Sequence, residues 1–238
     1  AQVRSSNFKV LVGAKRGSGA TGYTMSLDDV YVTVDYTPPP AAPVVQVKRG
    51  KATAAGSAAL SFDTLPTVGN LIVVVAATYL GNLASGSVTD NQSHSYTQRG
   101  KIEADSGTDN GDLCQYHTTV VNSSGTFTVT LNPDGSSASI DWLIMEISGR
   151  ASSPYDTAVT AQAATTSTSA STGNITPSEN NCLLVAAVSH TGSDMTITET
   201  MSGCTLIDEV EGGTTDMPLS VIVKLQTTAT AEAATWTM

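Results

Sequence analysis

Apolar and polar residues alternate with a period of two along much of the chain, which is the spacing of half-buried β-strands. Residues 30–36 and 126–131 alternate in this way, and residues 140–147 form another strongly apolar segment. Residues 71–77 are an unbroken apolar run, which suits a strand that is buried on both faces. No segment keeps apolar residues at helical spacing for three turns. The pattern therefore predicts strands and almost no helix.

Turn residues separate these strands at short intervals, as in the Asn-Pro-Asp-Gly sequence of residues 132–135. Short strands divided by Gly, Asn and Pro predict an all-β fold. We expect tandem antiparallel β-sandwich units, immunoglobulin-like or jelly-roll-like, with an extended N-terminal β arm. Aromatic residues make up only 5% of the chain, so the core must consist mainly of aliphatic side chains.

A proline-rich segment, residues 38–43, predicts a semi-rigid extended linker. Residues 1–37 before it form the strand-bearing arm, which is too short to be a domain of its own. After the linker we expect one β-sandwich unit over residues 44–149 and a second over residues 150–238. Each is close to the size of an immunoglobulin-like sandwich of about 100 residues.

An internal repeat supports this division, because residues 65–74 align with residues 176–185 in their order of Pro, Asn and apolar run. The second copy has no counterpart to the strong strand at 140–147, since the chain ends at Met238, where that strand is expected. The second unit should therefore lack its closing strand and have an open sheet edge. The alignment places three pairs of residues at equivalent positions: Leu71 and Cys182, Tyr96 and Cys204, Phe127 and Trp236.

The same alignment predicts the core of each unit. In the first unit the inward residues are Val73, Val75, Val88, Tyr96, Phe127 and Trp142. In the second unit they are Leu184, Ala186, Ile197, Leu206, Trp236 and Met238.

The formal net charge is −10, which argues against nucleic acid as a partner of the whole chain. Charge is unevenly placed: residues 1–51 have a balance of +4, and the remainder has a balance of −14. A basic front end could meet the acidic body of another copy, because opposed potentials steer association. A soluble acidic surface with a chance distribution explains the same numbers. No stretch approaches the roughly 20 apolar residues of a membrane span, so we expect no membrane insertion.

Sequence motifs for catalysis are weak. His94, His117 and His190 lie in or beside predicted strands without a nucleophile motif, and we expect exposed strand or loop histidines. An acidic loop offers Asp105, Asp109 and Asp112 as oxygen ligands for Ca²⁺. The spacing does not match an EF-hand, and a solvated acidic loop is the competing interpretation. We therefore expect no cofactor and no catalytic residues, with Ca²⁺ as a structural alternative.

The three cysteines, Cys114, Cys182 and Cys204, have no zinc-binding spacing and cannot all pair within one chain. Cys182 and Cys204 could bridge adjacent strands. Because they align with apolar positions, we expect small buried hydrophobic residues rather than a redox pair.

Several of these segments resemble the β-sandwich domains of bacteriophage tail and fibre structural proteins and of secreted bacterial surface proteins. The similar segments are residues 69–73, 88–91, 96–97 and 142–149, and residues 30–38 look like the closing strand of a preceding domain. The resemblance implies a structural or adhesive role and assigns no catalytic residue.

These observations predict a non-enzymatic structural subunit of an extracellular filament or virion fibre. Copies would assemble head to tail by strand donation from the N-terminal arm. The alternative is a carbohydrate-binding or adhesive module whose partner is a cell-surface glycan. Either would be secreted, on a cell surface or in a virion, and the start at Ala1 without a leader fits a mature secreted product or a cut fragment. The donor residues are Val30, Val32, Val34 and Tyr36, with Phe8, Val10 and Val12 as a second candidate.

Overall fold

The computed structural model describes residues 43–53, 56–104, 111–134, 139–156, 169–189, 198–199, 201–208 and 218–237. These residues form fourteen strands, and every strand pairing is antiparallel. The fold is all-β, as the sequence predicts. Within the described ranges there is no helix of the length and apolarity needed to span a bilayer.

The first repeat contains eight strands in two sheets. Sheet I has the order β1-β8-β3-β6-β5, and sheet II has the order β2-β7-β4. The bounds are β1 Val44–Thr53, β2 Ala58–Ser61, β3 Leu71–Tyr79, β4 Val88–Asp90, β5 Thr97–Ala104, β6 Gly111–Thr119, β7 Thr128–Leu131 and β8 Ser139–Ile147.

The second repeat contributes six described strands, also in two sheets. Sheet III has the order β10-β13-β12, and sheet IV has the order β11-β14-β9. The bounds are β9 Ser169–Ser171, β10 Cys182–Ser189, β11 Thr198–Glu199, β12 Thr205–Asp208, β13 Leu219–Gln226 and β14 Thr235–Thr237.

Strand order shows the internal repeat directly. Sheet III reproduces the β3-β6-β5 part of sheet I, and sheet IV reproduces sheet II. The irregularity in the β5–β6 pairing between Gln98 and Gly100 recurs between Leu206 and Asp208 in the β12–β13 pairing. Of the eight strands in the first repeat, β1 and β8 have no counterpart among the described residues of the second.

Strand register corrects two of the residue pairs that the sequence alignment proposed. Val74 pairs with Tyr116 and Ala186 with Ile222, and all four face the core of their own repeat, so Ala186 is equivalent to Val74. Leu71 is then equivalent to Leu183, one residue beyond Cys182. Alignment by composition missed this because a one-residue slip in a continuous apolar run leaves the pattern almost unchanged.

The second correction concerns β14. Asp90 pairs with Val129 in the first repeat, and Glu199 pairs with Trp236 in the second. Trp236 is therefore equivalent to Val129 rather than to Phe127, a slip of two residues that keeps the side chain on the same face. The equivalence of Tyr96 with Cys204 agrees with the register, because Thr97 pairs with His117 and Thr205 with Val223.

Four sheets stack in the order II, I, III, IV, and each interface contains a hydrophobic core. One face of sheet I packs on sheet II through residues such as Val74 and Val129. Its other face packs on sheet III, where Val75 and Val221 belong to one cluster. A third cluster lies between sheets III and IV around Trp236. Because sheet I is covered on both sides, all nine residues of β8 are buried.

The predicted core residues are mostly buried, with two corrections. Val73 and Val75 are buried but face sheet III, so they do not share a core with Val88, Tyr96, Phe127 and Trp142. Leu206 is 39% exposed, because it lies on β12 at the edge of sheet III. Leu184 and Trp236 are buried, and Ala186 packs against the same cluster as Trp236. Ile197 and Met238 lie outside the described residues.

Both sandwich repeats belong to one unit, residues 40–238, which is divided from residues 1–39 within the proline-rich segment. The arm with its donor residues lies outside the described residues.

Candidate functional site

The edges of the two large sheets differ in how they are protected against further strand pairing. Natural edge strands carry charges, prolines or bulges, which block pairing with another chain. Strand β1 carries two lysines and an arginine, β5 carries charged residues and a bulge, and β12 has an irregular pairing and an aspartate. Strand β10, at the other edge of sheet III, has the sequence CLLVAAVS with no charge and no proline, and its register with β13 is regular.

Exposure along β10 fits an edge that is open on one side. Seven of the nine residues of its equivalent, β3, are buried, whereas only two of the eight residues of β10 are. The difference arises because β3 lies between β8 and β6, while β13 is the only neighbour of β10 among the described strands. An apolar strand of eight residues therefore has one edge without a described partner.

In the first repeat, β8 pairs with the edge of β3 that corresponds to the open edge of β10. It pairs along its whole length with β3 and places Ile140, Trp142 and Ile144 in the core between sheets I and II. At its end the carboxylate of Glu146 accepts hydrogen bonds from Asn70 Nδ2 at 2.6 Å and from the Thr67 backbone amide at 2.8 Å. None of the described residues takes the corresponding place beside β10.

In the second repeat, the large and small side chains of the core occupy different strands from those in the first repeat. Val129 on β7 pairs with Leu60 on β2, and a Cβ built on Gly50 would meet both Leu60 and the indole nitrogen of Trp142. These three side chains therefore lie in one layer of the first core. In the second repeat the equivalents of Val129 and Leu60 are Trp236 and Ala170, which pair directly. The tryptophan of the first core is thus on β8, the closing strand, whereas the tryptophan of the second core is on β14.

The second repeat contains buried polar atoms that have no hydrogen-bond partner. Trp236 is 2% exposed, and its indole Nε1 has no hydrogen-bond partner. The hydroxyl of Ser220 on β13 is likewise buried without a partner. Leaving a buried donor unsatisfied costs about 1–3 kcal/mol, so complete cores usually avoid it. The first repeat also contains such an atom, the hydroxyl oxygen of Ser123, so these atoms do not distinguish the two repeats.

The prediction of exposed histidines was wrong for His94, which is buried in a polar network; His117 is half-buried, and His190 lies outside the described residues. Asp90 Oδ2 accepts hydrogen bonds from Tyr96 Oη and His94 Nδ1, both at 2.9 Å, and Oδ1 accepts from the amides of Gln92 and His94. The Val121 amide donates to His94 Nε2, so the ring hydrogen lies on Nδ1. Burial first, and then Asp90, raise the pKa of Tyr96. These hydrogen bonds stabilise the turn between β4 and β5.

A stacked cluster that sequence reasoning missed lies where the connection after β8 returns to sheet I. The rings of His117 and Tyr155 are 9° from parallel with centroids 6.1 Å apart. Arg99 Cζ lies 3.9 Å from the Tyr155 centroid, and Arg99 Nε lies 3.2 Å from His117 Nδ1. The guanidinium therefore contacts both residues: it lies over the Tyr155 ring and donates a hydrogen bond to His117 Nδ1. Burial, and then the charge of Arg99, lower the pKa of His117.

Of the three predicted Ca²⁺ ligands in the acidic loop, only Asp112 is among the described residues. Asp112 on β6 is buried, and its Oδ2 accepts from the Leu83 amide at 2.5 Å and lies 3.1 Å from Lys101 Nζ. Asp105 and Asp109 lie outside the described residues. Throughout the described part of the chain, no group of three or more His, Cys, Asp or Glu side chains is arranged to hold a metal ion.

The cysteines differ in environment. Cys114 is 1% exposed, but Cys182 and Cys204 are both half-buried, so the expectation of buried residues is wrong for these two. Cys182 begins β10 and Cys204 immediately precedes β12, and these two strands flank β13 on opposite sides. Two strand spacings separate the cysteines by at least about 10 Å, beyond the roughly 7 Å between Cα atoms that a disulfide spans.

Comparison with known protein families, curated proteins and solved structures finds no match to this chain. Function is therefore inferred from geometry alone. Trp142 and Trp236 are both buried, so neither provides an exposed platform for stacking a sugar ring. The open edge of β10 is the feature on which the function proposed below depends.

Proposed function

We propose that the protein is a non-enzymatic structural subunit of an extracellular filament or virion fibre. Copies assemble head to tail when the N-terminal arm of one copy adds a strand to the β10 edge of the next. Donor and acceptor lie in different parts of the chain, so the contact is heterologous and propagates unless it closes a ring.

The proposal rests on the composition of β10 and on its having a single described neighbour. The strand is apolar along its length, has no protective charge or proline, and has a single described neighbour. Its equivalent in the first repeat has a complete neighbour in β8. Strand addition uses main-chain hydrogen bonds for affinity and alternate side chains for specificity.

The arm has the pattern that this edge requires. If residues 30–36 are extended in the complex, Val30, Val32, Val34 and Tyr36 share one face of the strand, and polar residues alternate with them. Burying four such side chains would contribute on the order of 6–12 kcal/mol before the cost of ordering the arm. Charge adds little to this contact, because Lys48, Arg49 and Lys51 lie on β1 and residues 1–37 alone have a balance of +1.

Two deletions test the proposal. Removing residues 1–37 should leave a monomer, because both candidate donor segments are lost. Removing residues 1–29 is the matched control, because it keeps residues 30–36 and should still assemble. Negative-stain microscopy and light scattering after size exclusion would measure the assembly state of the full chain and of both variants.

Assembly by the chain that lacks residues 1–37 would refute strand donation. A full-length chain that stays monomeric at high concentration would refute it equally. If the shorter deletion abolishes assembly as well, the donor is the segment with Phe8, Val10 and Val12 rather than residues 30–36.

A further inference from the structure

We infer that Arg99, His117 and Tyr155 form a pH-sensitive latch, which holds the connection after β8 against sheet I at neutral pH and releases it in acid. The connection is residues 148–156, which lead from the first repeat into the second. The latch is independent of strand donation, because it lies wholly within the described part of one copy.

Two other contacts fix the ends of the connection. Near its start, Arg150 Nε donates a hydrogen bond to the Gly69 carbonyl at 2.5 Å. At its end, the Asp156 carboxylate accepts from the Ser178 amide at 2.6 Å, shortly before β10 begins. Tyr155 contacts sheet I between these two anchors. Its release would free the stretch between the anchors without separating the repeats, which share a hydrophobic core.

Arg99 makes the closer contact with the Tyr155 ring. Its Cζ lies 3.9 Å from the ring centroid, where a cation is attracted to the negative face of an aromatic ring. The His117 ring is nearly parallel to that of Tyr155, but the two centroids are 6.1 Å apart. That separation is toward the long end of the range of about 4.5–7 Å for aromatic pairs. Tyr155 is therefore held mainly by the guanidinium.

His117 in turn positions the guanidinium. Arg99 Nε donates a hydrogen bond to His117 Nδ1 at 3.2 Å, and Nδ1 accepts it only when that nitrogen carries no proton. Arg99 is exposed on the edge strand β5. Among the described residues no carboxylate forms an ion pair with it. The neutral imidazole thus keeps the guanidinium over Tyr155.

Protonation of His117 breaks this arrangement in two ways. A proton on Nδ1 turns the acceptor into a donor, and the imidazolium then repels the guanidinium. The exposed Arg99 side chain regains rotamer freedom when it turns into water. Burial, and then the charge of Arg99, lower the pKa of His117, so the ring takes up a proton only below about pH 6.5. The latch is closed above that value and opens as the pH falls through the folded pKa.

The strands on either side of His117 bring no further charge to it. The residues that pair with it are Val73 on β3 and Thr97 on β5, and neither is titratable. Within the described part of the chain, the titratable groups that face the ring are therefore Arg99 from β5 and the phenol of Tyr155 from the connection.

Sheet III covers the same face of β6 and also contributes no charge there. Gln115, two positions from His117 on β6, donates a hydrogen bond through Nε2 to the Val185 carbonyl of β10 at 3.4 Å. The carboxylate of the connection, Asp156, is bonded to the Ser178 amide. The latch therefore lies beside β10, and its opening in acid uncovers the surface of sheet I next to that strand.

NMR spectroscopy of the full chain between pH 8 and pH 5 tests the latch. The imidazole signals of His117 follow its titration, and ¹⁵N relaxation measures the backbone order of Tyr155. The order parameter of Tyr155 should fall from about 0.85 to below about 0.6, with the midpoint of the His117 titration. The indole signal of Trp142 should not change, because that side chain lies in the core between sheets I and II.

Three variants identify the titrating group. His117→Gln keeps a side-chain oxygen that accepts from Arg99 but does not titrate, so Tyr155 should stay ordered at both pH values. Arg99→Gln removes the cation, so Tyr155 should be loose at both. Asp156→Asn is the matched control: its oxygen still accepts from Ser178 without titrating, and its pH response should equal that of the native chain.

An ordered Tyr155 in the native chain after His117 has taken up its proton would overturn the latch. A His117 ring that takes up no proton by pH 5 would overturn it as well. The same loss of order in His117→Gln would show that another group controls the connection. If Asp156→Asn then lacks the response, that group is the Asp156 carboxylate, and the latch is equally refuted.

Discussion

Gln115 on β6 donates a hydrogen bond through Nε2 to the backbone carbonyl of Val185 on β10, across 3.4 Å. This bond joins the two repeats at the interface between sheets I and III. Apolar residues of both repeats, among them Val75 and Val221, form a single core there. The repeats are therefore packed face to face, which explains why the central strands of sheet I are apolar on both faces.

Trp142 is the largest side chain that β8 contributes to the first core, and it is fully buried. We expect Trp142→Ala to lower the free energy of unfolding by about 3–5 kcal/mol, since it removes apolar contacts and leaves a cavity. Urea unfolding of the full chain would measure this. Tyr155→Ala, which truncates a half-exposed aromatic side chain, should cost much less. A loss below about 1 kcal/mol for Trp142→Ala would contradict its place in the core.

The Asp90 carboxylate accepts hydrogen bonds from Tyr96, from His94 and from two backbone amides. Asp90→Ala should destabilise the protein by at least about 3 kcal/mol, because several buried donors lose their acceptor together. Asp63→Ala is the matched control, since Asp63 is 77% exposed and pairs with Lys48. That change should stay within about 1 kcal/mol. Equal effects of the two substitutions would contradict a structural role for Asp90.

The stack around His117 predicts a dependence of stability on pH. Burial and the adjacent Arg99 lower the pKa of His117 in the folded protein, so below its unfolded pKa of about 6.5 the unfolded chain binds more protons. Stability from uncharged His117 is complete above that value and is lost as the pH falls through the folded pKa.

Unfolding measured at pH 8 and pH 5 should show a larger loss for the native chain than for His117→Gln. Arg99→Gln should raise the His117 pKa, which an NMR titration would follow directly. A His117 pKa at or above the unfolded value in the native chain would contradict the stacked arrangement.

Thiol chemistry should distinguish the cysteines. Cys114 is 1% exposed, and burial raises the pKa of its thiol to about 11, so it should not react with a thiol reagent in the folded protein. Cys182, half-buried at the β10 edge, should react readily, and assembly should protect it if a strand covers that edge. Mass spectrometry of the oxidised protein should find no bond between Cys182 and Cys204. Such a bond would contradict the order of strands in sheet III.

The all-β fold could be predicted from the sequence because alternation is a local property of the chain. The strands at 71–77 and 140–147 were predicted within two residues of β3 and β8. The internal repeat was also visible, since turn residues and apolar runs recur in the same order. Strands β1, β2 and β9 were not predicted: β2 and β9 are short and lack a strong apolar pattern, and β1 carries three basic residues.

Residue partners could not be predicted in the same way. Leu71 was aligned with Cys182 when the register makes it equivalent to Leu183, because an apolar run contains no marker of its phase. His94 was expected at the surface because nothing in its neighbourhood reveals that Asp90, Tyr96 and the Val121 amide surround it. Arg99, His117 and Tyr155 are far apart in sequence and meet only through strand pairing and the connection after β8.

Residue spacing and turn chemistry were enough to predict that strands form, roughly where they lie, and that one set occurs twice. They do not indicate which face of each strand enters which core. Val73 and Val74 are both apolar, yet one packs on sheet III and the other on sheet II. A period of two separates the faces of a strand but does not say what covers them, and that is settled only when the sheets pack.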